Sequence, residues 1–338
     1  MRALVLPAVK AAPEVREVPT PEPGPGQARV RLAAAALNHR DVWIQQGRYP
    51  GIRTPIVLGS DGCGVVEMCS DSAWIGQRVI LCPSVSWGDE PRFQGLKYEI
   101  LGLPRDGTFA EHIVLPSENL VPWPSHLSAA QAAALPLAGL TAWRALMSRA
   151  ELRPGERVLI TGIGGGVALA ALQIAVAAGA QVAVTSSDPA KIERAVALGA
   201  LGGALYTQEG WHKALRKDFA SAGFDVIVDS AGGEGVGELV NLLGMGGRLV
   251  FFGGTRGAWP SITPQYLFYK QASILGTTMG SPSEFRDLVA FVERHGLKPV
   301  VDQVLALDEG AAAFTRLAAG EQFGKVVLHI AEAPAPAA

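Results

Sequence analysis

The sequence predicts a two-domain α/β protein, in which a doubly wound parallel sheet accompanies a second, partly barrel-like β domain. Three observations support this fold class. The chain has 338 residues, more than one hydrophobic core usually fills. Short strands separated by Gly or Pro turns dominate up to about residue 123. After residue 155 strands alternate with helices, and because parallel strands need a covering crossover, this alternation indicates a parallel sheet.

The first part of the chain carries the antiparallel signals. Its strand-like runs are ALVL, VREV, ARVRLAAAAL, VIL and AEHIVLP. An Ala/Leu-rich helical stretch follows at Leu127–Ala150. Pro136 is expected to kink or divide this helix, because proline removes a helical hydrogen bond.

The second part repeats a strand–helix pattern. Predicted strands are VLIT, QVAVTS, FDVIVDSAG, GGRLVFFGG and ASILGTT, and predicted helices include Val167–Ala178 and PAKIERAVALG. The end of the chain predicts a helix at Ser283–His295, a strand near VDQVLAL, a helix at Glu309–Ala319 and a last strand, KVVLHI. We therefore expect domain segments at 1–124, 125–280 and 281–338, with AEAPAPAA as a frayed tail.

Composition excludes several classes of partner. The net charge is −2 and no run of Lys or Arg could neutralise a track of phosphates, which argues against nucleic acid. The most apolar segment, Val167–Val184, contains two Gln and a Gly inside a helix–strand pattern, so we expect buried structure and no membrane partner. Three cysteines form no disulfide framework, and the N-terminus reads as a strand without a signal peptide. A cytoplasmic protein is expected.

A glycine-rich turn lies between a predicted strand ending at Thr161 and a long apolar helix. Glycine permits a tight turn and lets backbone N–H groups approach a pyrophosphate at the positive end of the helix. In a strict G-x-G-x-x-G register the third glycine falls on Val167, whereas Gly162, Gly165 and Ala168 fit a small-x-x-Gly-x-x-small register. A glycine-rich turn without a ligand is the alternative. The predicted phosphate site comprises Gly162, Gly164, Gly165, Gly166 and Val167.

The end of the next strand favours NADP(H). Many dinucleotide sites carry an acid there, which accepts hydrogen bonds from the ribose 2′-OH and repels a 2′-phosphate. Here the position is Ser186, followed by Ser187, and Lys191 and Arg194 bring positive charge one turn into the next helix. Alternatively, Ser187 or Asp188 only caps that helix, and both interpretations can hold together.

Across nearly its whole length the chain resembles the medium-chain dehydrogenase/reductase superfamily. The stretches that carry the resemblance include LNHRDVWIQQGRYPG, PIVLGSDGCGVV, DGTFAEHIVLP, AAALPLAGLTAWRAL, VLITGIGGGVALAALQIA, GGRLVFFGGTRG and EQFGKVVLHI. The resemblance implies a GroES-like catalytic domain formed from both ends of the chain, a Rossmann domain between them in sequence, and a cleft that holds the nicotinamide.

The chain departs from the zinc-dependent members of that superfamily. Asn38 stands where they have a cysteine ligand of the catalytic zinc, and Ser60 stands where they have a histidine ligand. The stretch 83–107, which corresponds to their structural zinc lobe, contains no cysteine. We expect no metal and poor alcohol oxidation, because zinc stabilises the alkoxide that this reaction requires. A quinone or α,β-unsaturated carbonyl instead spreads the charge over its own conjugated oxygen.

Within the superfamily, the chain resembles the zinc-free quinone oxidoreductase branch and alcohol dehydrogenase-like proteins that lack the zinc ligands. The resemblance to the quinone oxidoreductase branch implies catalytic roles for Asn38, Asp41 and Tyr49, with the Tyr49 hydroxyl as a donor to the substrate oxygen, and Arg40 replaces the proton-relay hydroxyl of the zinc enzymes. His39 corresponds to a position that approaches the pyrophosphate. The other coenzyme-binding residues that the resemblance implies are Thr141, Ser230, Ala231, Gly253, Gly254, Thr255, Gly276, Thr277, Thr278, Phe323, Gly324 and Lys325.

The sequence thus predicts an NADPH-dependent, zinc-independent oxidoreductase that transfers hydride to a quinone or α,β-unsaturated carbonyl. Two alternatives stay open: an alcohol dehydrogenase or aldehyde reductase of the same superfamily, and a non-catalytic NADPH-binding protein. By analogy with the superfamily, a homodimer paired through the edge strand around Ser273–Thr277 is expected.

Overall fold

The computed structural model describes residues 1–332, and most of the tail predicted to fray, residues 333–338, lies outside the described residues. The chain divides into two compact units. Unit 1 contains Met1–Leu140 and the residues from Gly280 onward, and unit 2 is Thr141–Met279. The first boundary differs from the predicted one at residue 124, because the helical segment after it packs on strands of unit 1.

The N-terminal segment begins with strands and ends with helices. In chain order its elements are β1 (Arg2–Leu6), β2 (Glu14–Glu17), β3 (Gln27–Ala36), α1 (His39–Gln45), β4 (Ile56–Val57), β5 (Asp61–Cys69), β6 (Arg78–Leu81), β7 (Ser84–Val85), β8 (Glu99–Ile100), β9 (His112–Pro116), β10 (Leu120–Pro122), α2 (Ala129–Ala134) and α3 (Pro136–Trp143). Pro136 starts α3 and so divides the predicted helix, as expected. A π-helix continues α3 over Arg144–Arg149.

Unit 2 forms one parallel sheet with connecting helices. Its elements are β11 (Arg157–Ile160), α4 (Gly166–Ala177), β12 (Gln181–Ser186), α5 (Pro189–Ala197), β13 (Gly202–Leu205), α6 (Trp211–Phe219), β14 (Phe224–Asp229), α7 (Val236–Leu242), β15 (Leu243–Phe251), α8 (Gln265–Phe268) and β16 (Ser273–Gly276). The strand order is β13-β12-β11-β14-β15-β16, with every pair parallel. The predicted doubly wound sheet is therefore confirmed, although the sequence analysis missed β13 and α6.

The chain reverses its direction of travel across the sheet beside β11. It runs outward to β13 and then returns to β14 on the other side of β11. Helices at such a reversal cover opposite faces of the sheet, so a crevice opens at the carboxyl ends of the central strands. Val158, Leu159 and Val226 are fully buried, as expected for central parallel strands covered on both faces.

The C-terminal segment returns to unit 1 and completes its main sheet. Its elements are α9 (Pro282–His295), β17 (Val301–Ala306), α10 (Gly310–Ala319) and β18 (Lys325–His329). The sheet order is β10-β6-β5-β3-β18-β17, and β9 also pairs with β3. Because β18 pairs antiparallel with β3, the start of β18 lies beside the end of β3, just before α1. Unit 1 is therefore formed from both ends of the chain, as the resemblance implies.

The core of unit 1 fixes α1 and α10 against the smaller sheet, β2-β1-β4. Phe109 and Phe314 meet edge to face there, with ring centroids 6.1 Å apart. No helix within residues 1–332 has both the length and the apolar character needed to cross a bilayer.

Candidate active site

The predicted coenzyme residues of unit 2 gather at the carboxyl ends of its strands. Each group directly follows a strand or lies at its end, and parallel strands present these ends at one edge of the sheet. The groups are Gly162 to Val167 after β11, Ser186 and Ser187 at β12, Ser230 and Ala231 after β14, Gly253 to Thr255 after β15, and Gly276 to Thr278 at β16. Thr141 lies on α3 and Lys191 on α5.

The turn between β11 and α4 exposes backbone where a phosphate would bind. Gly162 has φ +63° and Gly164 has φ +127°, conformations that side chains rarely adopt. A Cβ at Gly162 or Gly165 would meet no protein atom within 4 Å, so the space beside this turn is open. Gly165 is the N-cap of α4 and provides no capping side chain, which leaves the first helical N–H groups for a ligand. These features fit a dinucleotide pyrophosphate.

Three buried polar side chains that the sequence analysis missed hold this turn. Thr185 Oγ1 accepts a hydrogen bond from Gly162 N–H at 3.1 Å. Thr161 Oγ1 donates to Asp229 Oδ1 at 2.6 Å, and Asp229 Oδ2 accepts from Gly232 N–H at 2.8 Å. Thr161, Thr185 and Asp229 thus tie together the ends of β11, β12 and β14. Their signal in the sequence is a polar residue at the end of an apolar strand.

The strand β12 ends in Ser186 and not in an acidic residue, and the polar side chains there form hydrogen bonds. Ser186 is buried, and its hydroxyl accepts a hydrogen bond from Asp188 N–H at 3.1 Å. Asp188 caps α5 by accepting from Ala190 N–H at 2.9 Å, so the predicted helix cap is present. Ser187 is exposed beside them.

A steric contact explains why glycine is needed at residue 253, after β15. A Cβ at Gly253 would lie 2.5 Å from Ser230 O, so only glycine lets these two strand ends approach. Thr277 N–H donates to Phe251 O at 3.0 Å, which extends the parallel ladder beyond β16. The Thr277 hydroxyl is buried without a hydrogen-bond partner in the described residues.

In unit 1 the residues predicted as catalytic surround a buried lysine. Lys325, only 5% exposed, donates from Nζ to Asn38 Oδ1 at 2.5 Å and to Asp61 Oδ2 at 2.8 Å. Asn38 Nδ2 donates to the same Asp61 oxygen at 2.9 Å, and Leu137 N–H donates to the other at 2.7 Å. The side chain of Lys325, predicted to contact the coenzyme, is therefore engaged inside unit 1. Asp61 was missed as a site residue.

Asp41 holds the start of α1. Its Oδ2 accepts from Asn38 N–H at 2.8 Å, which orients the residue that contacts Lys325. Burial raises the pKa of Asp41 to about 6, although the positive charge of Arg40 and the Asn38 N–H oppose the shift. Asp41 is fully buried, so it acts on the site through the backbone of Asn38.

Arg40 contacts both the segment that follows β8 and the ring of Tyr49. It donates to Ser60 Oγ at 2.7 Å and Leu101 O at 2.8 Å, and its guanidinium carbon lies 5.1 Å from the Tyr49 ring centroid. The Tyr49 ring is half-buried against the unit 1 core. His39 is exposed at the start of α1, with its ring 6.2 Å from Trp43.

Phe323 and Gly324 position the lysine. Phe323 is buried, and its N–H donates to Asp302 Oδ1 at 3.1 Å. Gly324 has φ +121°, and a Cβ there would lie 2.5 Å from Val300 O. Both residues therefore set the path of the chain into β18.

The residues at the zinc-ligand positions do not fit zinc. Zinc takes about four N, S or O ligands in a tetrahedron. Asn38 Oδ1 instead accepts from the Lys325 ammonium, and Ser60 Oγ donates to Leu101 O at 2.7 Å. Cys82, directly before the stretch that corresponds to the structural zinc lobe, is buried, and no cysteine follows it in residues 83–107. No group of three or more His, Cys, Asp or Glu within residues 1–332 is arranged to hold a metal.

Two family models match the chain. Residues 24–125 match the alcohol dehydrogenase GroES-like domain, and residues 166–294 match the zinc-binding dehydrogenase domain. The first match lies within unit 1, and the second covers unit 2 from α4 to β16 and continues into α9 of unit 1.

Individual proteins are similar over almost the entire chain. A zinc-type alcohol dehydrogenase-like protein of Leptosphaeria maculans is 35% identical, over 89% of each chain. A quinone oxidoreductase of Pseudomonas aeruginosa is 31% identical, over 93% of this chain and 94% of that one. The crystal structure of an NAD-dependent alcohol dehydrogenase is 41% identical with a TM-score of 0.91, covering 97% of this chain and 99% of that one. The chain therefore belongs to the medium-chain dehydrogenase/reductase superfamily, a family of oxidoreductases that use a nicotinamide coenzyme.

Proposed function

We propose that this protein is an NADPH-dependent, zinc-independent oxidoreductase that delivers hydride to a quinone or an α,β-unsaturated carbonyl. The observation that carries the proposal is the ammonium of Lys325, which bridges Asn38 and Asp61 where zinc-dependent relatives place a metal ligand. A protonated amine donates hydrogen bonds and cannot ligate a metal, and its charge disfavours a dication beside it.

The coenzyme side of the proposal rests on unit 2. Gly162, Gly165 and the first turn of α4 would hold the pyrophosphate, and Thr185 would keep the turn in place. When bound, reduced nicotinamide supplies a hydride. This chain would contribute mainly binding, orientation and exclusion of water, which can lower a barrier without a covalent intermediate.

The choice of NADPH rests on Ser186. No carboxylate stands at this position to repel a 2′-phosphate, and Asp188, two residues later, is engaged in capping α5. The 41% identical alcohol dehydrogenase is described as NAD-dependent, so the preference needs direct measurement.

The acceptor side rests on charge. Hydride addition to a conjugated acceptor places negative charge on the acceptor's own oxygen, which a modest hydrogen-bond donor can stabilise. We assign this donor to the Tyr49 hydroxyl, on the ring that Arg40 braces. Tyr49→Phe should lower kcat about tenfold at most, because positioning would supply most of the acceleration. Complete loss of turnover by a folded Tyr49→Phe protein would contradict the mechanism dominated by positioning, and an unchanged kcat would contradict the assignment of Tyr49 as donor.

A panel of acceptors tests the proposed function. Quinones, enones, aldehydes and alcohols are assayed by nicotinamide absorbance with each coenzyme, with and without a zinc chelator. We expect chelator-insensitive oxidation of NADPH by quinones or enones. Absence of turnover across the panel, together with NADPH protection against heat, would instead support a non-catalytic NADPH-binding protein.

An alcohol dehydrogenase is the second candidate, favoured by the descriptions of the similar proteins from Leptosphaeria maculans and in the crystal structure. It predicts alcohol oxidation as the fastest reaction of the panel. Loss of that reaction on adding the chelator would contradict zinc independence.

We also propose a homodimer. β16 is an edge strand of the unit 2 sheet, and the nearby Phe268 and Tyr269 side chains are 65% and 75% exposed. Pairing of this edge with a second copy would satisfy its open backbone groups. Light scattering after size exclusion should give twice the mass of the chain, and Ile274→Pro, which removes a backbone donor on the side of β16 that faces away from β15, should shift the mass toward the monomer.

A further inference from the structure

Two side chains of unit 2 meet over its sheet although they belong to distant loops. The guanidinium carbon of Arg256, after β15, lies 5.3 Å from the ring centroid of Tyr206, after β13. The strands β12, β11 and β14 lie between β13 and β15. The pair therefore bridges the carboxyl ends of the central strands, where the chain reverses direction across the sheet.

The loop that carries Arg256 is fixed on the end of β14. Arg256 N–H donates to Ala231 O at 2.8 Å, and Gly233 N–H donates to Gly257 O at 3.2 Å. A Cβ at Gly233 would lie 2.8 Å from Arg256 Cβ, so the two loops are in direct contact. From β14 to β13 is three strand spacings, about 14 Å, which the two long side chains span.

Tyr206, the residue under the guanidinium, is attached to the end of β12 through its backbone. Its N–H donates to Ser186 O at 3.0 Å, one residue beyond the register pair of Ser186 with Leu205. Ser186 is the position where an acid would exclude a 2′-phosphate. A positive charge from the far side of the sheet thus lies on the ring of the residue whose backbone is hydrogen-bonded to Ser186, the position that lacks a negative charge.

The guanidinium still has its hydrogen-bonding edge. Stacking over a tyrosine uses the face of a guanidinium, whereas its five N–H donors point outward in the plane. The Arg256 side chain is exposed. Within residues 1–332 its guanidinium stacks over the Tyr206 ring and makes no hydrogen bond or ion pair. Such an edge matches a phosphate dianion with two parallel hydrogen bonds.

We propose that Arg256 is a coenzyme-specificity residue that binds the 2′-phosphate on the adenosine ribose, and that Tyr206 is the platform that positions it. This inference rests on the proposed use of NADPH and names the residue responsible. The phosphate would bind between the guanidinium edge and the N-terminal end of α5, above Ser186.

Binding of two nucleotides to the full chain tests the inference. Isothermal titration with 2′,5′-ADP and with 5′-AMP measures the contribution of the 2′-phosphate. Wild type should bind 2′,5′-ADP more tightly. Arg256→Gln should weaken 2′,5′-ADP about tenfold or more, with a much smaller change for 5′-AMP, because a charged hydrogen-bonding partner of the phosphate is lost.

Matched variants separate the effects of the Arg256 charge, the planar shape of its guanidinium and the Tyr206 ring beneath it. Arg153→Gln removes the same charge ahead of β11, at the amino end of the sheet, and should leave both affinities unchanged. Arg256→Lys keeps the charge but loses the planar fork, so its affinity for 2′,5′-ADP should be intermediate. Tyr206→Phe keeps the stacking ring and should resemble wild type, whereas Tyr206→Ala should weaken 2′,5′-ADP.

The possible failures are distinguishable. If wild type binds 2′,5′-ADP no more tightly than 5′-AMP, the NADPH proposal fails and this inference fails with it. If wild type prefers 2′,5′-ADP but Arg256→Gln keeps the whole preference and an unchanged KM for NADPH, only the role of Arg256 is overturned.

Discussion

In unit 2 the polar groups at the strand ends are mostly backbone N–H groups and hydroxyls, whereas unit 1 buries four ionisable side chains beside one another. Arg40, Asp41, Asp61 and Lys325 are each at most 6% exposed. The difference teaches that one superfamily fold contains two kinds of site. The first depends on where the backbone leaves space, and the second depends on charges that neutralise each other out of water.

The largest effect should come from breaking the unit 1 cluster. Lys325→Met leaves the fully buried Asp61 without its cationic partner, and removing one partner of a buried ion pair typically costs about 3 kcal/mol or more. We expect this loss in the free energy of unfolding measured in urea. Lys325→Met combined with Asp61→Asn should recover much of it, because the orphaned charge is gone. A cost below about 1 kcal/mol for Lys325→Met would contradict the importance of this pair.

A pH series sharpens the role of Asp41. Its pKa is raised from 3.8 to about 6, so the folded state binds a proton more tightly than the unfolded state. The stabilisation linked to this proton is present below about pH 4 and is lost as the pH rises through 6, up to about 3 kcal/mol. Relative to wild type, Asp41→Asn should therefore become more stable between pH 4 and pH 7 in urea unfolding. A stability difference between the two proteins that does not depend on pH would show that the pKa of Asp41 is not raised.

In unit 2 the expected effects fall on coenzyme choice. Ser186→Asp introduces a negative charge where the 2′-phosphate would bind, and we expect the ratio of kcat/KM for NADPH to that for NADH to fall about tenfold or more. Ser186→Asn is the uncharged control and should change the ratio much less. An unchanged ratio in Ser186→Asp would remove this residue from coenzyme selection.

The smallest effect compares two glycines of the same turn. Gly162→Ala should lower the free energy of unfolding by about 1 kcal/mol, because alanine is strained at φ +63°. Gly165→Ala has an ordinary φ of −75° and open space, so it should cost less than Gly162→Ala, about 0.5 kcal/mol for the poorer N-cap residue. Both variants should weaken NADPH binding, since each methyl group fills the space beside the pyrophosphate turn. Equal stability of the two variants would contradict the backbone argument.

The unit 2 site could be predicted because its signals are local. The order strand, glycines, helix occupies consecutive residues from β11 into α4, and Ser186 ends a strand that the sequence identifies with its observed bounds. The short strand β13 was missed because GGAL has little strand propensity, and Tyr206 was missed with it. Arg256 gave no signal, because its partner lies fifty positions earlier in the chain.

The unit 1 site was predicted only in part. The resemblance named Asn38, Asp41 and Lys325, but it gave Lys325 a role with the coenzyme and gave Asp61 none. The contact between them depends on the antiparallel pairing of β18 with β3, which joins residues 287 positions apart.

The sequence by itself determined the parallel sheet, the glycine turn and the missing acid, because hydrophobic periodicity and backbone conformation are written in neighbouring residues. Only the tertiary structure decided that Lys325 neutralises Asp61 and that Arg256 reaches Tyr206. Side chains from distant strands become neighbours through sheet order and register, and electrostatic energy depends on those final distances.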